Sequence, residues 1–502
     1  MYEAIIGGGL LVDGEGGAPR RADLAIQGGR VAAVEDAGAL AGVAAEQRVE
    51  ADGLVVAPGF MDVHTHYDFC LGWSGLSEHC LKQGVTAVIG GNCGLGPADP
   101  AAALAEAERR RLAVRFGVLA PYGPIRDRFV PRAEGRPARP DETAAIGRAL
   151  QAALEDGALG LSWGPYHANE LADEAELEAA AGVAAGCDRP FVVHRRCEGR
   201  NVLEATREVL GIARRTGCSL HISHLKVAGA AWWDRFETLI GELEAARDEI
   251  SLGFDVYPYD GSLTYLSAMI PGRWKADGGL SRRLTDETLR GEIRSGIEGW
   301  FRDRQGPEDV LVFARHMPEL KPGGSLLAAT RTLGLADPAE AALAIIRADP
   351  ETTGGWAAYR NMMSASQVAA IRSHELALVA SDAVPEVFGM AETSHPRAWG
   401  TFARVLREAL DGGEAHLGRE LVRVTRGPAE RFGLAGLGRL TPGAAADLVL
   451  IDPAALRDRA SYETPACYPD GIIEVRVAGQ RVLRDGVMID APGPGPGVLR
   501  AA

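Results

Sequence analysis

The segment GFMDVHTH, residues 59–66, is an apolar run that ends in a histidine–threonine–histidine triplet. Successive side chains of an extended strand alternate faces, so His64 and His66 project to the same side. Two imidazoles side by side on an inner face are costly unless they are hydrogen-bonded or bound to a metal. In a parallel α/β barrel the reactive groups come from the C-terminal ends of the strands, which is where this pair sits.

Seven further runs have the same texture: TAVIGGNCG (86–94), RFGVLAPYG (115–123), ALGLSWGP (158–165), PFVVHRR (190–196), SLHISHLK (219–226), LGFDVYPY (252–259) and LALVASD (376–382). Ala/Leu/Glu/Arg-rich stretches of helical character, such as 171–186 and 201–217, separate them. Eight strand–helix alternations predict an α/β fold, a (β/α)8 TIM barrel, over residues 58–430. The seventh and eighth runs are too far apart for one crossover, so residues 272–350 or so are expected to form a helical insertion between strands 7 and 8. The two chain ends, 1–57 and 431–502, both read as short strands with glycine turns. They are expected to build one small β-sandwich domain together, since chain termini often lie close in space.

At 502 residues the chain exceeds the size at which one simple core keeps growing. A formal net charge of −15, with four lysines among 53 basic residues, argues against nucleic acid and anionic membranes as partners. A small-molecule substrate and a monomer or small homo-oligomer are expected instead. Seven scattered cysteines form no disulfide framework and suit a reducing cytoplasm. The N-terminus lacks signal-peptide character, and no apolar run approaches the roughly 18–20 residues of a membrane span.

The polar residues of the eight runs gather at their ends: His64 and His66, then Cys93, His194, His224 and Asp382. These are metal-ligand types drawn from five strands. Alone, a cysteine between glycines reads as a small residue fitting a tight turn; in this company it reads as a ligand. Asp382 suits a general base for a metal-activated water. His221, three residues before His224, faces the other way and reads as structural. His79, His167, His316, His374 and His416 read as surface or loop residues.

The motifs PGFMDVHTHYD, GVTAVIGGNCG, VVHRRCEG, HISHLK, FDVYPYDGS and SHPRAWGTFARVL, in this order, resemble the amidohydrolase superfamily and within it the D-aminoacylase branch, the N-acyl-D-amino-acid deacylases. The resemblance covers nearly the whole chain. It implies that Cys93 replaces the metal-bridging lysine found elsewhere in the superfamily. It further implies that Cys93, His194 and His224 hold a tight Zn2+, and that His64 and His66 belong to a second, weaker site. Lys226 and Tyr257, with Ser262, are then implied to bind the substrate α-carboxylate, and Arg196 and Glu198 to line the pocket. Four departures from the family pattern, Tyr122, Trp163, Cys197 and Ala383 after the aspartate, are expected to alter the pocket wall. The reaction implied is hydrolysis of N-acyl-D-amino acids. A cyclic amide hydrolase of the hydantoinase type, or a non-catalytic relative, are the alternatives; ALGLSWGP carries no lysine, which counts against the first.

Overall fold

The computed structural model describes residues 1–349, 351, 353–384, 395–489 and 497–500, and side chains throughout these except at positions 167 and 168. The expectation for His167 therefore lies outside what is described. Residues 1–58 form β1 (Tyr2–Leu11), β2 (Arg20–Gln27), β3 (Arg30–Asp36), β4 (Ala45–Glu50) and β5 (Val55–Pro58). The central strands follow as β6 (Phe60–Asp62), β7 (Val85–Gly90), β8 (Arg115–Val118), β9 (Ala120–Pro121), β10 (Leu161–Trp163), β11 (Pro190–Val193), β12 (Ser219–Ile222) and β13 (Leu252–Val256). After β14 (Ser262–Tyr265), β15 (Val310–Phe313), β16 (Gly324–Ser325) and β17 (Trp356–Tyr359), the chain returns as β18 (Ala377–Val379). It ends in β19 (Leu448–Ile451), β20 (Ile472–Val477), β21 (Gln480–Arg484) and β22 (Val487–Met488).

The fold is α/β, with the central strands parallel in two sheets ordered β6-β7-β8 and β9-β10-β11-β12-β13-β18. The strands of this set are mostly apolar and almost wholly buried, as strands covered on both faces must be. At Leu119, between β8 and β9, the sheets continue into each other. The Leu119 N–H donates to the Gly90 carbonyl (2.9 Å) and the Ala120 N–H to the Gly160 carbonyl (2.8 Å). At the far edges, the Asp382 N–H donates to the His64 carbonyl (2.8 Å) and the His66 N–H to the Ala383 carbonyl (2.9 Å). Met61, Val63, Ala87, Ile89, Leu159, Val192 and Leu378 pack into one apolar cluster, each lying N-terminal on its strand to the polar strand end. Amphipathic helices cover the outside: Val202–Thr216 buries Val202, Val209, Leu210, Ile212 and Ala213 and stops at Gly217, whose φ of 70° is that of a helix-ending glycine.

One expectation is revised. The segment between the seventh and last central strands contains the helices Leu280–Arg283, Glu287–Asp303, Leu326–Thr332 and Pro338–Ala348, but also a four-stranded antiparallel sheet, β14-β17-β15-β16. It starts near residue 262 and ends near 359, wider than the expected 272–350. The strands β1–β5 and β19–β22 do come together, with β5 pairing antiparallel to β19. Their hydrogen bonding runs through one nine-stranded sheet, in which β1 pairs with β2, β4 and β5. Among the described residues no helix is long and apolar enough to cross a membrane.

A buried ionic knot lies behind β9 and β10. Glu176 accepts from Arg126 Nε (2.8 Å), from the Tyr122 hydroxyl (2.6 Å) and from the Ala138 N–H (2.6 Å). Both charged side chains are about 1% exposed. Glu176→Ala leaves the Arg126 guanidinium buried without its partner, a loss of about 3–5 kcal/mol. It is therefore expected to lower the thermal midpoint clearly, with Glu176→Gln falling between; an unchanged midpoint would contradict this reading of the knot.

Candidate metal centre

Cys93 sits in a tight turn that the glycines around it make possible. Gly91 and Gly94 have φ of 74° and 70°, and a Cβ on either would come within 2.5 Å of the Leu119 carbonyl oxygen or 2.8 Å of the Gly164 nitrogen. Only glycine fits such positions. Cys93 itself has φ 57°, and His224 and Asp382 also occupy left-handed backbone, at 35° and 50°. Non-glycine residues hold such conformations when their surroundings over-determine them, and they cluster at functional sites. Those surroundings are visible here. Asn92 Nδ2 donates to the carbonyls of Val63 (3.3 Å), Thr65 (3.3 Å) and Ile89 (3.0 Å). Ser162 of β10 accepts from the Gly94 N–H (3.1 Å) and donates to the Gly91 carbonyl.

The strand ends converge on this thiol. Cys93 Sγ lies 3.4 Å from His64 Nε2 and 3.5 Å from His224 Nε2. His66 and His194 stand close enough to interact electrostatically with it as well. Three sets of candidate ligand atoms lie within 4.8 Å of one another: His64, Cys93 and His224; His64, His66 and Asp382; His194, Glu198 and His224. Asp382 Oδ1 is 3.5 Å from His64 Nε2 and 3.4 Å from His66 Nε2, while its other oxygen is 2.8 Å from Arg397 Nη1. Below the cluster, Asp255 of β13 bridges His64 Nδ1 (3.1 Å) and His221 Nε2 (3.0 Å) and accepts the His224 N–H (2.8 Å). His221 is thus a structural support.

The charges follow from this packing. Burial opposes a Cys93 thiolate, but His64 and His224 outweigh it and hold the thiol well below its ordinary range. Burial likewise opposes charge on His64 and His66, yet their anionic neighbours dominate, Asp255 above all at His64 and Asp382 at His66; His66 rises to about 9. Burial also opposes ionisation of Asp382, and Arg397 with His64 keeps it well below the usual carboxylate range. Asp382 is therefore an anion at neutral pH.

Next to the cluster opens a cavity of about 720 Å3, with His194, His224, Lys226, Tyr257, Ser262 and Asp382 on its wall. The Tyr257 hydroxyl is buried with no hydrogen-bond partner among the described residues, under the Arg397 guanidinium at 4.5 Å from the ring centre. Lys226 Nζ, implied to be a carboxylate ligand, lies 2.8 Å from both Glu198 Oε1 and His224 Nδ1. Arg196 lines the cavity, but its guanidinium is taken by Glu208 (2.8 Å) and by the carbonyls of Glu170 (3.2 Å) and Ala172 (2.6 Å). Tyr122 and Trp163 do not face the cavity. Tyr122 feeds the Glu176 knot, and Trp163 is wholly buried beneath Arg196, 4.8 Å from its ring centre to the guanidinium. His79, expected at the surface, is fully buried against Tyr67 and Trp399, and burial pulls its pKa to about 3.

Sequence reading missed Asp255, Arg397 and Tyr166, whose ring lies edge-on to His194 on the cavity wall, 5.1 Å between ring centres. Asp255 had a signal: in LGFDVYPY it breaks an apolar strand two residues before Tyr257 and so shares its face. Arg397 and Tyr166 lie in loops and helix starts, where no periodicity marks a direction.

One thiolate, four imidazoles and two carboxylates are the donor set of a zinc site, and the buried Nδ1 atoms of His66 and His194 have no hydrogen-bond partner among the described residues. Such strand-end donors on a parallel α/β scaffold define a metal-dependent hydrolase of the amidohydrolase type. The sequence profile of the Amidohydrolase family matches residues 286–483. N-acyl-D-glutamate deacylase of Alcaligenes xylosoxydans xylosoxydans is 32% identical, over 98% of this chain and 96% of its own. D-aminoacylase of the same organism is 30% identical, over 96% and 95%. Among solved structures, N-acyl-D-glutamate deacylase from Bordetella bronchiseptica, complexed with zinc and a phosphonate mimic of the tetrahedral intermediate, superposes with a TM-score of 0.84 at 31% identity, covering 100% of both chains. The chain belongs to the amidohydrolase superfamily, in the branch of the N-acyl-D-amino-acid deacylases.

Asp255 orients two of the donors without touching the cavity. Asp255→Asn is expected to weaken zinc binding by about 10–100-fold, the usual cost of losing a carboxylate behind a ligating histidine. Competition with a chromogenic chelator reads this directly, and an unchanged affinity would remove Asp255 from the site.

Proposed function

We propose that this protein is a zinc-dependent hydrolase of N-acyl-D-amino acids, releasing a carboxylate and the free D-amino acid. The observation that carries the reading is the Cys93 thiolate ringed by four imidazoles beside an ionised Asp382, opening onto one cavity. The full-length likeness to three deacylases supports it. The two parallel sheets are read as one closed (β/α)8 barrel over residues 58–430, carrying the insertion, with 1–57 and 431–502 as the appended β domain.

Cys93, His194 and His224 would hold the tight ion, with His64 and His66 as a second, weaker set and Cys93 between the two. When bound, zinc supplies Lewis-acid polarisation of the amide carbonyl and activation of water. Asp382 takes the proton of the attacking water and delivers it to the leaving nitrogen, because its free oxygen faces the imidazoles while Arg397 fixes the other. Tyr257 and Ser262 offer hydroxyl donors to the substrate α-carboxylate. Lys226 adds positive charge on the same wall, although Glu198 shares it. A linear amide fits this arrangement better than a ring amide, since β10 carries no lysine to bridge two metals and its Ser162 is spent on the Cys93 turn.

The test is an assay of N-acetyl-D- and N-acetyl-L-amino acids on zinc-loaded and chelated protein. The D series should be hydrolysed, and only with metal; turnover that survives complete zinc removal would overturn the mechanism. Asp382→Asn should lower kcat by about 10²–10⁴-fold, the range for a lost general base, while the ion held by Cys93, His194 and His224 is retained.

A further inference from the structure

The cavity wall carries more positive charge than the α-carboxylate of an N-acyl amino acid needs, and nearly all of it is already paired. Arg195 donates to Thr206 Oγ1 (2.8 Å) and the Lys226 carbonyl (2.9 Å), and Arg196 is held by Glu208. Arg132 donates to Asp127 (3.1 Å), Lys275 to the Ser267 carbonyl (2.8 Å), and Lys226 to Glu198 (2.8 Å). Arg304 is the exception. It lines the same cavity, from the end of helix Glu287–Asp303, yet its guanidinium has no hydrogen-bond acceptor and no ion pair among the described residues.

Its place is nonetheless fixed. The guanidinium carbon lies 5.6 Å from the centre of the Trp300 ring, and a Cβ on Gly199, in the loop directly after Glu198, would be 3.5 Å from Arg304 Nη2. The stem packs against Gly229, where a Cβ would be 2.9 Å from Arg304 Cγ. The adjacent carboxylate, Asp303, turns away and pairs with Arg200 at 2.8 Å. Burial draws the Arg304 pKa below that of a free guanidinium, although the group stays charged. A half-buried guanidinium with five donors and no acceptor is costly, and a planar bidentate anion is the partner it fits.

We propose that Arg304 is a specificity-determining residue that binds a second carboxylate of the substrate, so that the preferred N-acyl-D-amino acids are dicarboxylic. This rests on the deacylase reading above. The second carboxylate sits on the D side chain or on the acyl group, and the substrates of the test separate the two.

The experiment compares kcat/KM of the zinc-loaded protein for N-acetyl-D-glutamate against its neutral isostere N-acetyl-D-glutamine, and for N-succinyl-D-leucine against N-acetyl-D-leucine. One of the two acidic substrates should exceed its neutral partner by about 10–100-fold, the worth of a charged hydrogen bond, and the pair that does so tells which carboxylate Arg304 meets. Arg304→Met should erase that gap through KM, leaving neutral substrates, zinc content and thermal midpoint unchanged, and Arg304→Lys should restore part of it. Equal rates within both pairs in the unmodified protein overturn the proposal, whether or not the variant folds. An equal loss on all substrates in Arg304→Met overturns it too, by assigning the residue to the common α-carboxylate. If no D substrate is turned over, the deacylase reading has failed; calorimetric titration of the same pairs then decides the subsite separately. A gap in affinity abolished by Arg304→Met upholds it, and equal affinities overturn it.

Discussion

The structure depends on holding a thiolate among imidazoles out of bulk water. Cys93 cannot ionise there by itself, because burial favours the neutral thiol. The histidines around it make the thiolate the stable form, and the thiolate in turn helps keep His64 and His66 protonated while no cation is present. The same lone pairs that form this thiolate–imidazolium cluster are those a divalent cation needs. Binding zinc therefore exchanges protons for metal at a site whose donors are already gathered, and much of the ordering cost is met by the fold itself.

That gathering is done by groups outside the cavity. Asp255 ties the sixth and seventh central strands to His64 on the first. Asp62 accepts the N–H of Ser381 (3.0 Å) and its hydroxyl, and so joins the first strand to the last exactly where Asp382 follows. Burial raises Asp62 to about 7, but the bonds from Ser381 favour its anion. Asn92 and Ser162 lock the Cys93 turn against its neighbours on both sides. Three functional residues stand on left-handed backbone, and the strain is carried by these buried polar contacts, not by the ligands.

Much of this was legible in the sequence because it obeys short-range rules. Alternation along a strand put His64 and His66 on one face, and strand-end position placed Cys93, His194, His224 and Asp382 together. What periodicity does not encode is which long-range partner a side chain finds. Lys226 and Arg196 face the cavity as read, yet Glu198 and Glu208 claim their charges. Tyr122 and Trp163 pack behind the wall, because a large side chain at a strand end can tuck under its neighbour as readily as face the opening. The antiparallel sheet of the insertion was invisible because its strands are two to four residues long and pair across long sequence gaps. His79 read as a surface residue because a helix histidine carries no mark of the aromatic pocket that buries it.

The central claim is that Cys93 is a metal ligand at the meeting point of the strand ends. Anomalous diffraction recorded on either side of the zinc absorption edge, from crystals of the active protein, tests it without reference to substrate. The account predicts a peak at bonding distance from Cys93 Sγ, about 2.3 Å for a zinc–sulfur bond, with His224 among its other neighbours. A fully active protein whose zinc peak lies away from Cys93, or that shows none, would contradict it.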